Sequence, residues 1–218
     1  MKTFRIRFAP LAALTLGLAT AVLPSMPAAQ SATDFDAMAV DVIKRSFRDQ
    51  GQAKIAWLEQ DAVLKACSSL TPPTEAQARQ IERDALATIK WPSDGKYLGN
   101  WKTGEQIAQS GRGMTWSDKA EAPAGGGCYN CHQLSKQEIS FGTIGPSLYN
   151  FGKSRGVANP ADPVSEPIVK YTWGKLYNAK AYNACSAMPR MGHAGVLTEQ
   201  QIRDVMALLL DPASPVNQ

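Results

Sequence analysis

Phe35, Met38 and Val42, with Val40, Ile43 and Phe47 beside them, recur at three- and four-residue steps as far as Gly51. That spacing gathers side chains on one face of an α-helix. Cys67 follows in a mixed stretch, Pro72 and Pro73 break the chain, and Thr74 is placed to cap a new helix. In it Ala78, Ile81, Ala85 and Ile89 share a face before Trp91 and Pro92 end the pattern. A third helix is predicted from Asn100 to about Gln109. A loop follows, dominated by Gly111, Gly113, Pro123 and Gly125 to Gly127. Gly, Pro, Asn and Ser then crowd positions 142–167, which reads as ordered loop wrapped around something other than a large protein core. Near the end, Thr198 and Gln201 fit a capping box, Ile202, Val205, Met206 and Leu209 form a stripe, and Asp211-Pro212 is the stop. No useful period-two run and no internal repeat appears, so the expected fold is mainly α.

The start of the chain changes where this fold is expected to work. Lys2, Arg5 and Arg7 precede an uncharged apolar run from Ala9 to Leu23, and small residues follow at Ala28, Ala29, Ser31 and Ala32. This is the layout of a secretory signal peptide, cleaved between about Ala28 and Ala32, and the run is too short to span a bilayer comfortably. The expected organisation is a signal at 1–31, an N-terminal helical extension at 33–94 and a main domain at 95–218. No cysteine stands near the cleavage zone, so no lipid or other stable membrane anchor is expected. The formal charge of +4 contains the three basic residues of the signal and falls to +1 without them. With no Lys/Arg cluster either, nucleic acid is not an expected partner.

Cys128-Tyr-Asn-Cys131-His132 carries the chemistry. Two thiols three positions apart can add to the two vinyl groups of one haem c while the adjoining imidazole ligates its iron. A thioredoxin-like dithiol needs a βαβ setting, whereas these cysteines follow three glycines and precede a Gly/Pro-rich loop. A zinc site needs a second pair of ligands, which Cys67, Cys185 and His193 do not form. Candidates for the second axial bond are Met188, Met191, His193, Met114 and Met206. Met188 is preferred, because Pro189 fixes the backbone beside it and Gly192 lets the chain pass close to a porphyrin. Met191 is the alternative. Pro146, in Gly145-Pro-Ser-Leu148, is the expected carbonyl partner for the second ring nitrogen of His132. Cys67 and Cys185 remain, and in an oxidising compartment they are expected to pair as a disulfide beside Met188, with a free thiol at Cys185 as the rival.

Taken together, Gly99-Asn-Trp-Lys-Thr-Gly-Glu105, the Cys-Tyr-Asn-Cys-His-Gln string, Gly142-Thr-Ile-Gly-Pro-Ser-Leu148, Cys185-Ser-Ala-Met-Pro-Arg-Met-Gly192 and Leu210-Asp-Pro-Ala-Ser-Pro-Val-Asn217 resemble the SoxX family. Its members are monohaem cytochrome subunits of the bacterial SoxAX complex. The resemblance runs from about Thr71 to the C-terminus. It implies a class I cytochrome c fold, thioether anchors at Cys128 and Cys131, and axial ligands at His132 and Met188. It also implies a periplasmic heterodimer with the SoxA cytochrome, an L-cysteine S-thiosulfotransferase that joins thiosulfate to a cysteine of the SoxYZ carrier. The sulfur chemistry would lie on SoxA, and electrons would pass through this subunit to a soluble cytochrome c. Two features depart from the family: Met191 stands where an aromatic is usual, and the loop from Gly111 to Gly127 is long. A free periplasmic electron carrier is the runner-up, and a haem enzyme acting alone is the third possibility.

Overall fold

The computed structural model describes residues 34–218, so the expected signal at 1–31 lies outside the described residues. These are mainly helical: α1 (Phe35–Ser46), α2 (Ala62–Ser68), α3 (Glu75–Ala87), α4 (Trp101–Gln109), α5 (Glu166–Tyr177) and α6 (Glu199–Leu210), joined by loops and short 3₁₀ turns. Among the described residues no strand forms beyond an isolated bridge between Gln50 and Ala53. The chain divides into two compact units between Ile43 and Lys44, within α1, and α1 buries none of its residues. Residues 44–94 therefore belong to the same unit as the whole C-terminal domain.

Side-chain caps fix where the helices start, because the first N–H groups of a helix lack partners within it. Asp61 accepts from the Leu64 N–H at 2.7 Å, Asn100 from Lys102 at 2.9 Å, and Thr74 and Thr198 form capping boxes with Gln77 and Gln201. The Gly- and Pro-rich segment is loop only to Ser165. Glu166 and Pro167, expected as its last residues, instead open α5. Proline suits that first turn, where its missing N–H has no partner to lose.

The core forms where α4 and α6 cross. A Cβ on Gly104 would collide with the Asp204 carbonyl, so the glycine lets the two backbones touch. Asp204 closes the crossing by accepting from the Asn100 N–H at 2.8 Å and the Gln200 amide at 3.0 Å. Trp173 of α5, fully buried, fills the space beside them with Leu134, Ile202, Met206, Leu208 and Leu210. Its indole N–H donates to the Lys90 carbonyl at 2.9 Å, which ties the end of the α3 segment to the core. Asn217 secures the tail: its oxygen accepts from the Gly152 and Lys153 N–H groups and its amide donates to the Leu209 and Asp211 carbonyls.

Arg203 of α6 holds both oxygens of Asp94, at 3.0 and 2.8 Å, and also pairs with Glu199. The hydrogen bonds from Arg203 lower the Asp94 carboxyl below its ordinary 3.8. A carboxylate lowered on folding stabilises the native state above its unfolded pKa, and the contribution is lost as pH falls through the folded value. In Asp94→Asn, a small loss of thermal stability is expected at neutral pH, shrinking as the pH falls below the ordinary carboxylate value and through the lowered one. Parallel melting curves across that range check the sign.

Candidate functional site

The three glycines before Cys128 run back along the end of α4. Gly125, Gly126 and Gly127 donate to the carbonyls of Arg112, Ile107 and Ser110, each at 2.8 Å, and a Cβ on Gly125 would strike Ser110. Gly127 adopts a left-handed backbone (φ 55°) and starts the 3₁₀ turn Cys128–Asn130. Within that turn the Cys131 and His132 N–H groups both bond to the Cys128 carbonyl, at 3.1 and 2.9 Å. The glycine run thus delivers two thiols and an imidazole to one wall of a cavity.

The cavity has a volume of about 540 Å³, within the ordinary range for cofactor pockets. Cys128, Cys131, His132, Met188 and Met191 all line it, against an apolar floor that includes Leu134, Phe151, Leu176, Val205 and Leu209. His132 Nδ1 lies 2.7 Å from the Pro146 carbonyl oxygen. A carbonyl only accepts, so Nδ1 carries a proton, and in the neutral ring the lone pair is then on Nε2, available to another partner. Gly145 lies against the imidazole so closely that a Cβ there would overlap the ring. Cys128 and Cys131 are not bonded to each other. Burial pushes the Cys128 thiol up to about 11, opposite to the lowered value that a reactive dithiol needs.

Met188 is half-buried on the cavity wall, whereas Met191 is 7% exposed and packed into the hydrophobic core. Met114, Met206 and His193 do not line the cavity. Cys67 and Cys185 are joined by a disulfide, with Cα atoms 5.4 Å apart, and Cys185 lies on the cavity rim. Among the described residues no cluster of His, Cys, Asp and Glu stands ready to hold a bare metal ion.

Comparison with known proteins identifies the domain that holds the site. Residues 117–211 match the cytochrome c family. A protein of Aquifex aeolicus strain VF5 described as an uncharacterized lipoprotein is 32% identical over 209 residues, covering 93% of this chain and 96% of that protein.

This chain carries a cytochrome c domain.

The cytochrome is a haem electron-transfer protein with a mainly α, class I fold and a covalently bound haem c. Its cavity fits that group: the floor is apolar as a porphyrin face requires, two free thiols and an imidazole with one unshared nitrogen stand together, and Arg155 and Lys175 offer cations at the wall for the haem's carboxylates. The family match begins after α4, yet in this cytochrome α4 packs on α6 within the same core. No helix among the described residues is long and apolar enough to cross a membrane. The relative is called a lipoprotein; in this cytochrome the first cysteine is Cys67.

Several wall residues escaped the sequence reading. Tyr171, Thr172, Lys175 and Leu176 come from α5, and Arg155 from a 3₁₀ turn in the long loop. The stripe Val169, Trp173 and Leu176, buried in the structure, was the available signal for α5. Arg155 had none, because its position depends on the loop's path.

Proposed function

We propose that this cytochrome is the electron-transfer subunit, SoxX, of a periplasmic SoxAX complex. The observation that carries the haem site is the single cavity that Cys128, Cys131, His132 and Met188 line together. In this reading Cys128 and Cys131 hold one haem by thioether bonds and His132 Nε2 binds its iron, oriented by the Pro146 carbonyl. Met188 supplies the second bond, with Met191 as the alternative. Support for Met188 is its half-exposed place on the wall, while the Met191 carbonyl already accepts from the Val196 and Leu197 N–H groups and its side chain is packed in the core. Bound haem supplies a one-electron couple, and His/Met ligation sets it at a high potential.

The assignment to SoxX rests on the combined motifs from Gly99 to Asn217. In such a complex the SoxA cytochrome joins thiosulfate to a SoxYZ cysteine thiol, releasing two electrons and one proton. The electrons leave singly through this subunit to a soluble cytochrome c. Exposed apolar side chains support a docked partner: Ile139 in the loop beyond the haem string, and Trp57, Leu70 and Leu86 in the 44–94 segment. A free electron carrier remains the second reading, favoured by the way α3 packs on its own domain and α2 is tied to it by the Cys67–Cys185 disulfide.

Coexpression with a SoxA partner tests the assignment. A stable heterodimer whose SoxX haem is reduced on adding thiosulfate and SoxYZ is the expected result, and a monomeric haem protein indifferent to thiosulfate would overturn it. In Met188→Ala, the weak far-red band that a thioether gives ferric haem is expected to vanish, and the midpoint potential to fall by on the order of 100 mV or more. The same loss in Met191→Ala, with Met188→Ala normal, would move the ligand to Met191.

A further inference from the structure

We infer that the short helix α2 is a clamp that positions Met188, gripping its loop on both sides through Cys67–Cys185 and Asp61–Arg190. The inference rests on the reading of Met188 as the iron's second ligand.

Cys185 precedes Met188 by three residues and Arg190 follows it by two, and both are held by the same seven-residue helix. At its start, Asp61 uses one oxygen to cap the helix at Leu64 and the other to pair with Arg190 at 2.8 Å. At its other end Cys67 is bonded to Cys185. Both tethers run to the same seven-residue helix, one from each side of Met188, so the segment from Cys185 to Arg190 cannot spread or unwind without breaking one of them.

The loop needs such a device on its leading side. After Met188 the chain is anchored in the domain: Met191 is core, and the N–H groups of Gly192 and His193 donate to the Tyr177 carbonyl at 3.2 and 3.0 Å. Before it, Asn183, Cys185 and Ala187 are exposed, and the turn's own bonds are Cys185 N–H to the Asn183 side-chain oxygen, Ser186 N–H to the Asn183 carbonyl and Met188 N–H to the Ser186 hydroxyl. Beyond these, Glu82 of α3 accepts from the Ala184 N–H at 3.2 Å and the Lys180 ammonium donates to the Ala184 carbonyl at 3.2 Å. An exposed turn with so few internal bonds belongs to the least protected class of native structure, and it opens locally at little cost. A neutral thioether is also a weak ligand. The fraction of time the iron's sixth position stands open is then set by how firmly the loop is tethered, which makes Asp61 and Cys67 positioning residues for Met188.

The rate at which cyanide binds the ferric protein reads that opening directly, because Met188 must leave first. Removing the disulfide with Cys67→Ser/Cys185→Ser is expected to speed cyanide binding about tenfold while the far-red band persists at rest. Asp61→Asn, which leaves the disulfide intact and gives a second variant if the first folds poorly, is expected to speed it about threefold. Asp61→Glu should restore most of the difference. If both tether variants bind cyanide at the wild-type rate while showing lower urea midpoints, α2 only stabilises the fold and the clamp is overturned. If instead the wild type lacks the far-red band and binds cyanide as fast as Met188→Ala, the ligand assignment itself fails and the clamp falls with it.

Discussion

The Gly145→Val protein is expected to keep its covalently attached haem and to lose the grip of His132 on the iron. Gly145 does not have a left-handed backbone, so conformational freedom is not what the position demands. It demands room: the Cβ of any other residue would overlap the His132 ring. The Gly145 backbone is itself fixed by the bond from its N–H to the Cys131 carbonyl at 2.9 Å, leaving the imidazole as the part that yields. Turning the ring breaks the 2.7 Å contact to the Pro146 carbonyl and swings Nε2 away from the cavity. Loss of a partner of this kind weakens a metal–histidine bond by about 10- to 100-fold, and forcing extra methyls into a packed site costs about 1–3 kcal/mol. Mass spectrometry should still find the haem bound through Cys128 and Cys131. Its spectrum should show a five-coordinate or substituted iron, which added imidazole returns to six-coordinate.

The second large effect is on stability. Trp173→Ala removes the largest fully buried side chain of the core and its hydrogen bond to the Lys90 carbonyl. Truncating a buried aromatic to alanine costs about 3–5 kcal/mol. For a chain of this size each kcal/mol moves the midpoint by about 2–4 °C, so a fall of about 6–20 °C is expected by calorimetry. Tyr97, which packs edge-on against the indole at 5.5 Å, and the 88–92 segment should become protease-sensitive first. Trp173→Phe keeps most of the volume and loses the N–H donor, and comparing it with Trp173→Ala separates packing from the hydrogen bond.

Legibility followed the range of the interaction concerned. The caps at Thr74 and Thr198 and the helices they start were readable because a capping box is local, closed within four residues. The helix over Trp101–Gln109 was readable for the same reason. Expected ends drifted outward: the pattern of α1 continues to Gly51 while the helix ends at Ser46, and that of α3 continues to Ile89 while the helix ends at Ala87. Beyond α3, Ile89 stays buried in the core after the helix has ended, so burial and helicity separate there; beyond α1, Phe47 is exposed and the apolar spacing reflects no core. α5 was hidden because Pro167 completed a run of loop-forming residues, although proline at a first turn favours a helix. α2 was hidden by its length, since two turns give no period to detect.

The sequence alone determined the chemistry on offer: a paired-thiol and imidazole string within five residues, a proline-flanked methionine, and two further cysteines left over. Those features are covalent or contiguous, so they survive in one dimension. Only the tertiary structure decided how they meet. It sets Gly145 beneath the His132 ring, draws Arg155 and Lys175 to the cavity, and lays α2 across both flanks of Met188. The Cys67–Cys185 pair was expected because these two thiols were left over, but the Asp61–Arg190 pair that completes α2's hold joins residues far apart in the chain, and no local pattern encodes it because it depends on how whole helices pack.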